Sequence, residues 1–419
     1  MNQPTLDIID ARADSAPFAF TGFASLIAPL GQDRFDAEFR EQAPFFIKRA
    51  RPSYFDALFS MDDVDRLIGN HLLRSGDLRI ARDGAVTPFA AFSNNGVADR
   101  NAILGEYAAG STIVVEHLNR HHALLGSALA RCEVELEFPL RANCYLTPAM
   151  SQGFSLHYDT HDVLILQVSG SKTWQVWDNP LPLPHEEQPF SPTLLARARQ
   201  LAEVTLEPGD VLYLPRGFIH GASANQAPSL HLTLGMRSMT LRDVALAAFR
   251  HAAMATPALR QVARFRGAAR TEALGQARQW LHDAVEHTDI GALFDDVLHS
   301  FIRKRSRPMQ GRLLALHAPP PIAHDTCLRV RPDCLLHVFE RPGQVALAVD
   351  GRSIVFPSGV QAAIAHMRQA SCFVPAELPG MERDSQLILT RRLHAEDVLE
   401  LAPVPDAAAL PAGQARAEA

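Results

Sequence analysis

The segment that decides the interpretation of this chain spans residues 143–177 and has the sequence NCYLTPAMSQGFSLHYDTHDVLILQVSGSKTWQVW. His157 and Asp159 lie at its centre, two residues apart. Side chains alternate across a β-strand, so an imidazole and a carboxylate at this spacing project to the same face and can bind one metal ion. A third ligand has to come from elsewhere in the chain. His220 is the candidate, because it ends the turn, apolar strand and loop LEPGDVLYLPRGFIHGAS, residues 206–223.

Two histidines and one carboxylate with open coordination positions form the facial triad of non-haem Fe(II) oxygenases. An isolated His-x-Asp pattern is short, however, and two strand-end residues with hydrogen-bonding roles would look the same. His220 could equally be an ordinary loop residue. The surrounding residues therefore have to decide whether the three side chains form a metal site.

Lys172 is the first of these surrounding residues. It follows the turn at Gly170 and lies in a largely apolar strand. A lysine that points inward at this position needs an anion, because a buried charge without a partner is costly. A lysine that points outward would keep its ammonium group in water. Both orientations remain open from the sequence.

Two further pairs of residues share strand faces near the proposed metal ligands. Asn143 and Tyr145 alternate on the strand before the His-x-Asp segment, and His231 and Thr233 alternate on the strand SLHLTLGM. Asn143 and Tyr145 can each hydrogen-bond a carboxylate or a metal-bound water molecule. Simple packing roles are compatible with the same positions.

The composition is that of an ordinary globular protein. The chain has 419 residues, of which 47% are hydrophobic and 21% charged, and its formal net charge is −6. An acidic chain gives no reason to expect a nucleic-acid partner. Five scattered cysteines favour a reducing, cytoplasmic compartment over a disulfide framework. We expect no secretory signal, because the N-terminus has acidic residues and no basic segment followed by an apolar run. We expect no membrane span either, because the chain has no apolar run of about 18 residues.

The order of patterns along the chain predicts several regions. Strand-length runs separated by Gly, Pro and Asp turns dominate from residue 140 onward and favour a β-barrel or jelly roll. Helical spacing follows from about residue 240, for packing on the barrel or pairing with a second subunit. The predicted regions are a leader (1–20), a catalytic domain (21–240), a helical region (241–315), a small α/β domain (325–402) and a tail (403–419).

Two local features carry their own expectations. The proline-rich insert from Pro180 to Pro192 interrupts the strands and is expected to be an external loop, with Glu186 and Glu187 in solvent. The basic cluster from Arg303 to Arg312 is expected to be a solvated linker, with an RNA or phosphate contact as the alternative.

The strand motifs together closely resemble the JmjC-type cupin oxygenases of the ribosomal-oxygenase (cupin-4) family. The matching motifs, in order, are NxYLTP, HYDxHD, QVxGxKxW, GDxLYxPxGxxH and HLT. The resemblance covers about residues 20–240 and is only architectural beyond them. It implies an α+β protein with a double-stranded β-helix (a cupin jelly roll), then a helical dimerisation region, then a winged-helix-like C-terminal domain.

The resemblance also implies roles for individual residues. By it, His157, Asp159 and His220 are the catalytic iron ligands, and Lys172 pairs with the distal carboxylate of 2-oxoglutarate. Asn143 corresponds to an asparagine near the co-substrate and iron. Tyr145 corresponds to a tyrosine near the peptide substrate, while His231 and Thr233 match the pocket strand loosely. The implied cofactors are Fe(II), 2-oxoglutarate and O2.

The expected function is that of a 2-oxoglutarate-dependent dioxygenase that hydroxylates a residue of a protein or peptide. The resemblance points to a ribosomal protein as substrate and to a homodimer. A precursor peptide of a natural product, or a small molecule, is compatible with the same catalytic core. A non-catalytic cupin that acts as a binding module is the alternative of a different class.

Overall fold

The computed structural model describes residues 4–13, 17–70, 72–262, 266, 268–286, 289–309 and 312–402. The chain divides into two compact units, residues 1–301 and residues 302–419. The predicted tail, residues 403–419, lies outside the described residues, as do residues 1–3 and 14–16 of the predicted leader.

The strands of the first unit lie mostly where the alternating patterns place them. They are β1 (Asp7–Asp10), β2 (Phe45–Lys48), β3 (Leu78–Arg82), β4 (Ala85–Thr87), β5 (Ser93–Asn94), β6 (Val97–Ala98), β7 (Thr112–Val115), β8 (Leu140–Thr147), β9 (Asp162–Ser169), β10 (Lys172–Trp177), β11 (Gln200–Leu206), β12 (Val211–Leu214), β13 (His220–Ala224) and β14 (Ser229–Met236). His220, expected in a loop, thus begins a strand.

The helices of the first unit surround these strands and then follow them. They are α1 (Phe23–Leu26), α2 (Gln32–Arg34), α3 (Met61–Asn70), α4 (Arg100–Ala108), α5 (Leu118–His121), α6 (Ala123–Leu136), α7 (Leu241–Ala255), α8 (Ala268–Glu286) and α9 (Ile290–Lys304), the last of which runs into the second unit. A π-helical turn spans Phe35–Phe39, and 3-10 turns span Phe89–Phe92, Pro192–Arg197 and Pro257–Arg260.

Two sheets build the part of the first unit that carries the candidate site. The larger sheet has the order β1-β2-β12-β9-β14-β8-β7-β3-β4, and the smaller has the order β11-β10-β13. Apart from the parallel pair β1 and β2, neighbouring strands in both sheets are antiparallel. Mixed helix and sheet with this cupin-like core confirms the predicted α+β class.

Strand β9 explains how the layers are held together. Seven of its eight residues are buried, so it has apolar side chains on both faces. Leu164 and Leu166 pack into the large core beneath the helices. Val163 and Ile165 pack on the other face, in the core shared with the small sheet. Because side chains alternate between the two faces, β9 contributes apolar residues to both cores.

Residues 7–10, inside the predicted loose leader, form strand β1. Ile8 pairs with Phe46 and Ile9 with Ile47 in a parallel register along β2. The sequence DIID has two acids in four residues, a composition that is depleted in strands. Its strand conformation comes from the available edge of β2, which local sequence does not reveal.

Helix α7 opens the helical segment that follows the strands. It begins with a capping box, in which the Thr240 and Asp243 side chains each accept a hydrogen bond from the other residue's backbone N–H. Val244 and Ala248 pack against Leu293 of α9. None of the described helices combines the length and the apolar character that crossing a membrane requires.

The second unit is a small mixed domain. Its elements are α10 (Arg312–His317), β15 (Leu328–Val330), β16 (Leu336–Arg341), β17 (Gln344–Val349), β18 (Arg352–Pro357), a 3-10 turn (Ser358–Val360), α11 (Gln361–Gln369), a 3-10 turn (Pro375–Glu377), α12 (Arg383–Ala395) and β19 (Leu399–Leu401). Asp350 and Gly351 form the turn that joins β17 to β18. After α12 the chain forms β19, which pairs with β15.

The basic cluster at residues 303–312 is not simply a solvated linker, and that expectation is wrong for two of its arginines. Arg305 and Arg307 are 5% and 6% exposed. Asp350 forms ion pairs with both guanidinium groups, and Asp397 lies 2.8 Å from Arg307 Nη2. Buried charges of this kind are tolerated only with such partners. The cluster therefore anchors the start of the second unit.

Candidate active site

Three side chains converge where the two sheets meet. His157, Asp159 and His220 each present one ligand atom, and these atoms lie within 4.8 Å of one another. His220 Nε2 is 3.6 Å from Asp159 Oδ2. The structure thus brings together the three residues that were predicted as metal ligands from separate parts of the chain.

Backbone pairing holds the two imidazoles side by side. The His157 backbone N–H donates to the His220 carbonyl at 3.0 Å, and the His220 N–H donates to the His157 carbonyl at 2.8 Å. The ring centroids lie 4.7 Å apart as a result. The Asp159 carbonyl accepts a hydrogen bond from the Gly217 N–H at 3.0 Å, which ties the loop of the acid to the turn before β13.

The same nitrogen is engaged in both imidazoles. His157 Nδ1 lies 2.8 Å from the Ser155 carbonyl oxygen, and His220 Nδ1 lies 2.9 Å from the Phe218 carbonyl oxygen. A carbonyl can only accept, so Nδ1 carries the proton in each ring and Nε2 keeps its lone pair. This is the arrangement by which backbone carbonyls orient metal-binding histidines. The donor set therefore fits a divalent ion such as Fe(II).

The charge states in this cluster also suit a cation. Burial opposes ionisation of Asp159, but His220 and His157 beside it hold the pKa of its carboxyl below the ordinary value. Burial, followed by the neighbouring His157, lowers the pKa of His220 to about 4. At neutral pH the cluster consequently offers one carboxylate and an uncharged His220 imidazole.

A cavity of about 180 Å³ adjoins the three ligands and contains Lys172 in its wall. Lys172 lies on the inward face of β10 and is 4% exposed, so the inward orientation is the one observed. Its Nζ is 3.0 Å from Thr147 Oγ1, and Thr112 Oγ1 donates to the same Thr147 oxygen at 3.1 Å. Burial lowers the pKa of Lys172 to about 7.

No carboxylate faces Lys172 among the described residues, although an ammonium group in this position has room for one. Two more polar atoms in the cavity wall are buried and have no hydrogen-bond partner in the described part of the chain, namely Trp174 Nε1 and His231 Nδ1. Buried polar groups are normally satisfied. A small polar anion in the cavity would meet these requirements, and a dicarboxylate fits a site with a lysine at one end and a metal at the other.

Tyr145 and His231 form one wall of the cavity. Their rings are stacked with centroids 4.8 Å apart and an interplanar angle of 6°. Burial, followed by the charge of Asp159, raises the pKa of Tyr145 to about 12, so the phenol stays protonated. Burial and the nearby Lys172 hold the pKa of His231 well below its usual range. This wall is therefore uncharged near neutral pH.

Asn143 and Thr233 occupy one register position further along the sheet. They face each other across β8 and β14. Thr233 lines the cavity, whereas Asn143 Oδ1 accepts the His117 backbone N–H at 3.1 Å. Asn143 is thus fixed beside the cavity instead of forming its lining.

Sequence reasoning missed three residues of the site. Thr147 and Thr112 hold Lys172, and a threonine on a strand carries no signal for such a role. Arg79 of β3 lines the cavity, pairs with Glu116 at 2.7 Å and lies over the Phe154 ring at 5.3 Å. Arg79 and Tyr145 lie on either side of Val114, which pairs with both of them across neighbouring strands. The place of Arg79 in the site follows only from this strand register.

Two histidines and one carboxylate at the junction of two sheets form a facial triad, the donor set of non-haem Fe(II) sites. Residues 121–244 match the protein family described as JmjC domain.

Proteins named ribosomal oxygenases are among its relatives. The chain is 33% identical to "Ribosomal oxygenase 1" of Gallus gallus over 234 residues, which is 53% of this chain and 37% of the relative. It is 32% identical to "Ribosomal oxygenase 2" of Mus musculus over 218 residues, which is 51% of this chain and 46% of the relative. The chain therefore spans less than half the length of either protein.

Solved structures of the Escherichia coli ribosomal oxygenase YcfD share the fold. One of them matches with a TM-score of 0.52 and 18% identity, and covers 89% of this chain and 99% of its own. Another, described as a complex with cobalt and 2-oxoglutarate, matches with a TM-score of 0.51 and 16% identity, over 88% of this chain and 98% of its own.

Proposed function

We propose that this protein is an Fe(II)- and 2-oxoglutarate-dependent oxygenase that hydroxylates a residue of a protein or peptide. The observation that carries the proposal is one cavity that is lined by the three ligands and by buried Lys172. The names of the relatives support it, since they are oxygenases, and one is described as a histidyl-hydroxylase.

His157, Asp159 and His220 would hold Fe(II), and Lys172 with Thr147 would bind the distal carboxylate of 2-oxoglutarate. Iron and 2-oxoglutarate together supply the activation of O2 that hydroxylates a C–H bond. The residues of this chain orient the bound groups and exclude water. The apolar side chains of Val163 and Ile165 keep water from the cavity wall, and no general base is required.

Tyr145 would position the substrate. Its ring is fixed by the stack on His231, and its protonated hydroxyl can donate a hydrogen bond towards the substrate. We assign Asn143 and Thr233 to co-substrate binding, with Asn143 kept in place by the His117 backbone. These assignments predict effects on substrate and co-substrate binding rather than on metal binding.

Metal binding and turnover test the proposal separately. We expect His157→Ala and Asp159→Ala to lose stoichiometric Fe(II) binding in anaerobic titrations and to abolish succinate formation from 2-oxoglutarate. His251→Ala, in an exposed position on α7, is the matched control and should retain both. Stoichiometric Fe(II) binding that persists in the His157, Asp159 and His220 variants would refute the site. Metal binding without succinate formation would favour the non-catalytic binding module.

The substrate is proposed to be a ribosomal protein, in line with the names of the relatives. Mass spectrometry of host proteins with and without the gene should then show an oxygen-mass shift on one ribosomal protein. A shift on a precursor peptide, or on a small metabolite, would support the alternatives instead.

We also propose a homodimer formed through the helical region 241–315. Large apolar side chains are exposed on its first helix, with Leu241 at 77% and Met254 at 75%, and Phe294 on α9 is about half exposed. Such surfaces commonly mark interfaces. Sedimentation equilibrium should give twice the chain mass, and Phe294→Asp should reduce it.

The remaining assignments follow from the resemblance. We propose that residues 325–402 form a winged-helix-like domain after a catalytic domain at 21–240. We place the protein in the cytoplasm and give nucleic acid no role, because the net charge is −6. Localisation of a fluorescent fusion and a gel-shift assay with RNA would test these two statements.

A further inference from the structure

The face of β8 that carries the site residues continues beyond them to an arginine. Arg141, Asn143 and Tyr145 share one face because alternate residues of a strand do. Thr233, which lines the cavity, lies opposite Asn143, and Gly235 lies opposite Arg141. Arg141 is therefore one same-face step, or about 7 Å at ~3.3 Å per residue, beyond the cavity rim.

Two more arginines flank this position. The backbone N–H of Arg237, directly after β14, donates to the Pro139 carbonyl at 3.1 Å, next to the start of β8. Arg120 lies on α5, where the side chain of the neighbouring Asn119 accepts the Ala142 N–H at 3.5 Å. We name Arg120, Arg141 and Arg237 the arginine cluster.

The cluster lies close to the metal ligands as well as to the cavity. His161 is two residues after Asp159, and its ring packs against Gly235, where an added Cβ would be 2.8 Å from His161 Nε2. Since Gly235 is opposite Arg141, only one strand separates the ligand loop from Arg141.

The arginine cluster has little anionic compensation within the chain. The side chains of Arg120 and Arg141 have no hydrogen bond or ion pair with any part of the chain that the structure describes. Arg237 has one long ion pair, 3.4 Å to Glu186 of the insert. Burial, followed by the charges of Arg237 and Arg120, lowers the pKa of Arg141. Guanidinium groups in such positions bind carboxylates well.

We propose that the arginine cluster binds an acidic side chain of the peptide substrate, two residues beyond the residue that lies at the cavity rim. This rests on the proposed function. The spacing follows from the strand: Arg141 is about 7 Å beyond the rim, and an extended peptide advances about the same distance in two residues. Asp or Glu at that position would then be a specificity determinant.

The charges around the cluster favour a single carboxylate over a polyanion. Glu186 pairs with Arg237, and Glu116 lies near Arg141 while it pairs with Arg79. These acids would repel a phosphate backbone but leave Arg141 free for one carboxylate. The net charge of −6 acts in the same direction.

Binding of defined peptide pools tests the inference. Fluorescein-labelled octapeptide pools would have Glu, Gln or Lys fixed at one position and neutral residues elsewhere, and fluorescence anisotropy would be recorded with the full chain. We expect the Glu pool to bind about fivefold more tightly than the Gln pool, the effect of one partly desolvated ion pair. The preference should disappear in Arg141→Gln and persist in Arg141→Lys. It should also persist in Arg12→Gln, a variant next to β1 at the far edge of the sheet.

Equal binding of the Glu and Gln pools by the wild-type chain would overturn the inference, as would a preference that survives in folded Arg141→Gln. Tighter binding of a labelled uridine decanucleotide, lost in Arg141→Gln, would overturn it in favour of nucleic acid. These readouts need no turnover. Absence of succinate formation with Fe(II) and 2-oxoglutarate would refute the proposed function separately.

Discussion

Lys172→Met should make the protein more stable while it weakens co-substrate binding. Lys172 is buried, and its pKa falls from 10.5 to about 7 because burial penalises the charged form. A change of one unit in the pKa corresponds to about 1.4 kcal/mol. At or below pH 7 the buried lysine therefore lowers the free energy of unfolding by roughly 5 kcal/mol. Methionine has a similar length and no charge to bury, so it avoids that penalty.

The pH dependence gives this prediction its sign. Between pH 7 and 10.5 the unfolded lysine is protonated while the folded one is neutral, so the wild-type protein gains stability as pH rises. The advantage of Lys172→Met is therefore largest at pH 7 and below and shrinks towards pH 10.5. Below pH 7 it stays constant, because the lysine is charged in both states.

Urea unfolding of the metal-free protein between pH 6 and 10 would measure this difference. Tryptophan fluorescence is a suitable signal, because all three tryptophans lie in the first unit, at positions 174, 177 and 280. Lys48→Met on β2, where the lysine is partly exposed, is the matched control and should show no comparable slope. A Lys172→Met advantage that does not change with pH, or a variant that is less stable throughout, would refute the reasoning.

The same substitution should raise the 2-oxoglutarate concentration required for turnover on the order of 100-fold, because the distal carboxylate loses a buried partner. Fe(II) affinity should change little. In the wild-type protein, 2-oxoglutarate affinity should fall as pH rises above about 7, since only the protonated lysine attracts the carboxylate. Calorimetry at pH 6 and 9 would show whether the dependence is present and whether it is absent in Lys172→Met.

Two further predictions concern the cavity wall and the second unit. Gly153→Ala should raise the 2-oxoglutarate requirement severalfold at unchanged Fe(II) affinity, because an added Cβ would lie 2.7 Å from Thr112 Oγ1; an unchanged requirement in steady-state kinetics would contradict this. Asp350→Asn should destabilise the second unit by about 3–5 kcal/mol, because it leaves Arg305 and Arg307 buried with less compensation. Calorimetry should show an earlier melting transition, and an unaltered thermogram would exclude the role given to this aspartate.

The sequence allowed the sheet strands to be predicted because their patterns are local. Strands β8, β9, β10, β12 and β14 each show alternation or a continuous apolar run between turn residues, and each was found. The metal ligands were predictable because a His-x-Asp pair has few competing explanations once the later histidine and Lys172 are added, although the pair lies in the connection between β8 and β9 and not, as expected, on a strand. Metal binding depends on the types of the ligand residues, and the sequence shows these types directly.

The rest depended on distant partners. Thr147 is decisive for Lys172 only because β8 and β10 lie across the cavity, and nothing near Thr147 in sequence indicates this. Arg305 and Arg307 looked like solvated linker residues because Asp350 and Asp397 are more than 40 residues away. Arg141 likewise belongs to a cluster only because the fold brings Arg120 and Arg237, from other elements, close to it. A sequence shows which residues are charged, but it does not show which ion-pair partners they have in the folded protein.

Strand β9 has a consequence for how such a site can be altered. Val163 and Ile165 face the cavity, whereas Leu164 and Leu166 hold the helices from the other side. Alternate residues of this eight-residue strand therefore determine the shape of the cavity and the packing of the helices. Shortening Val163 or Ile165 should therefore widen the cavity at a cost to the core shared with the small sheet, while Leu164 and Leu166 keep the core beneath the helices intact.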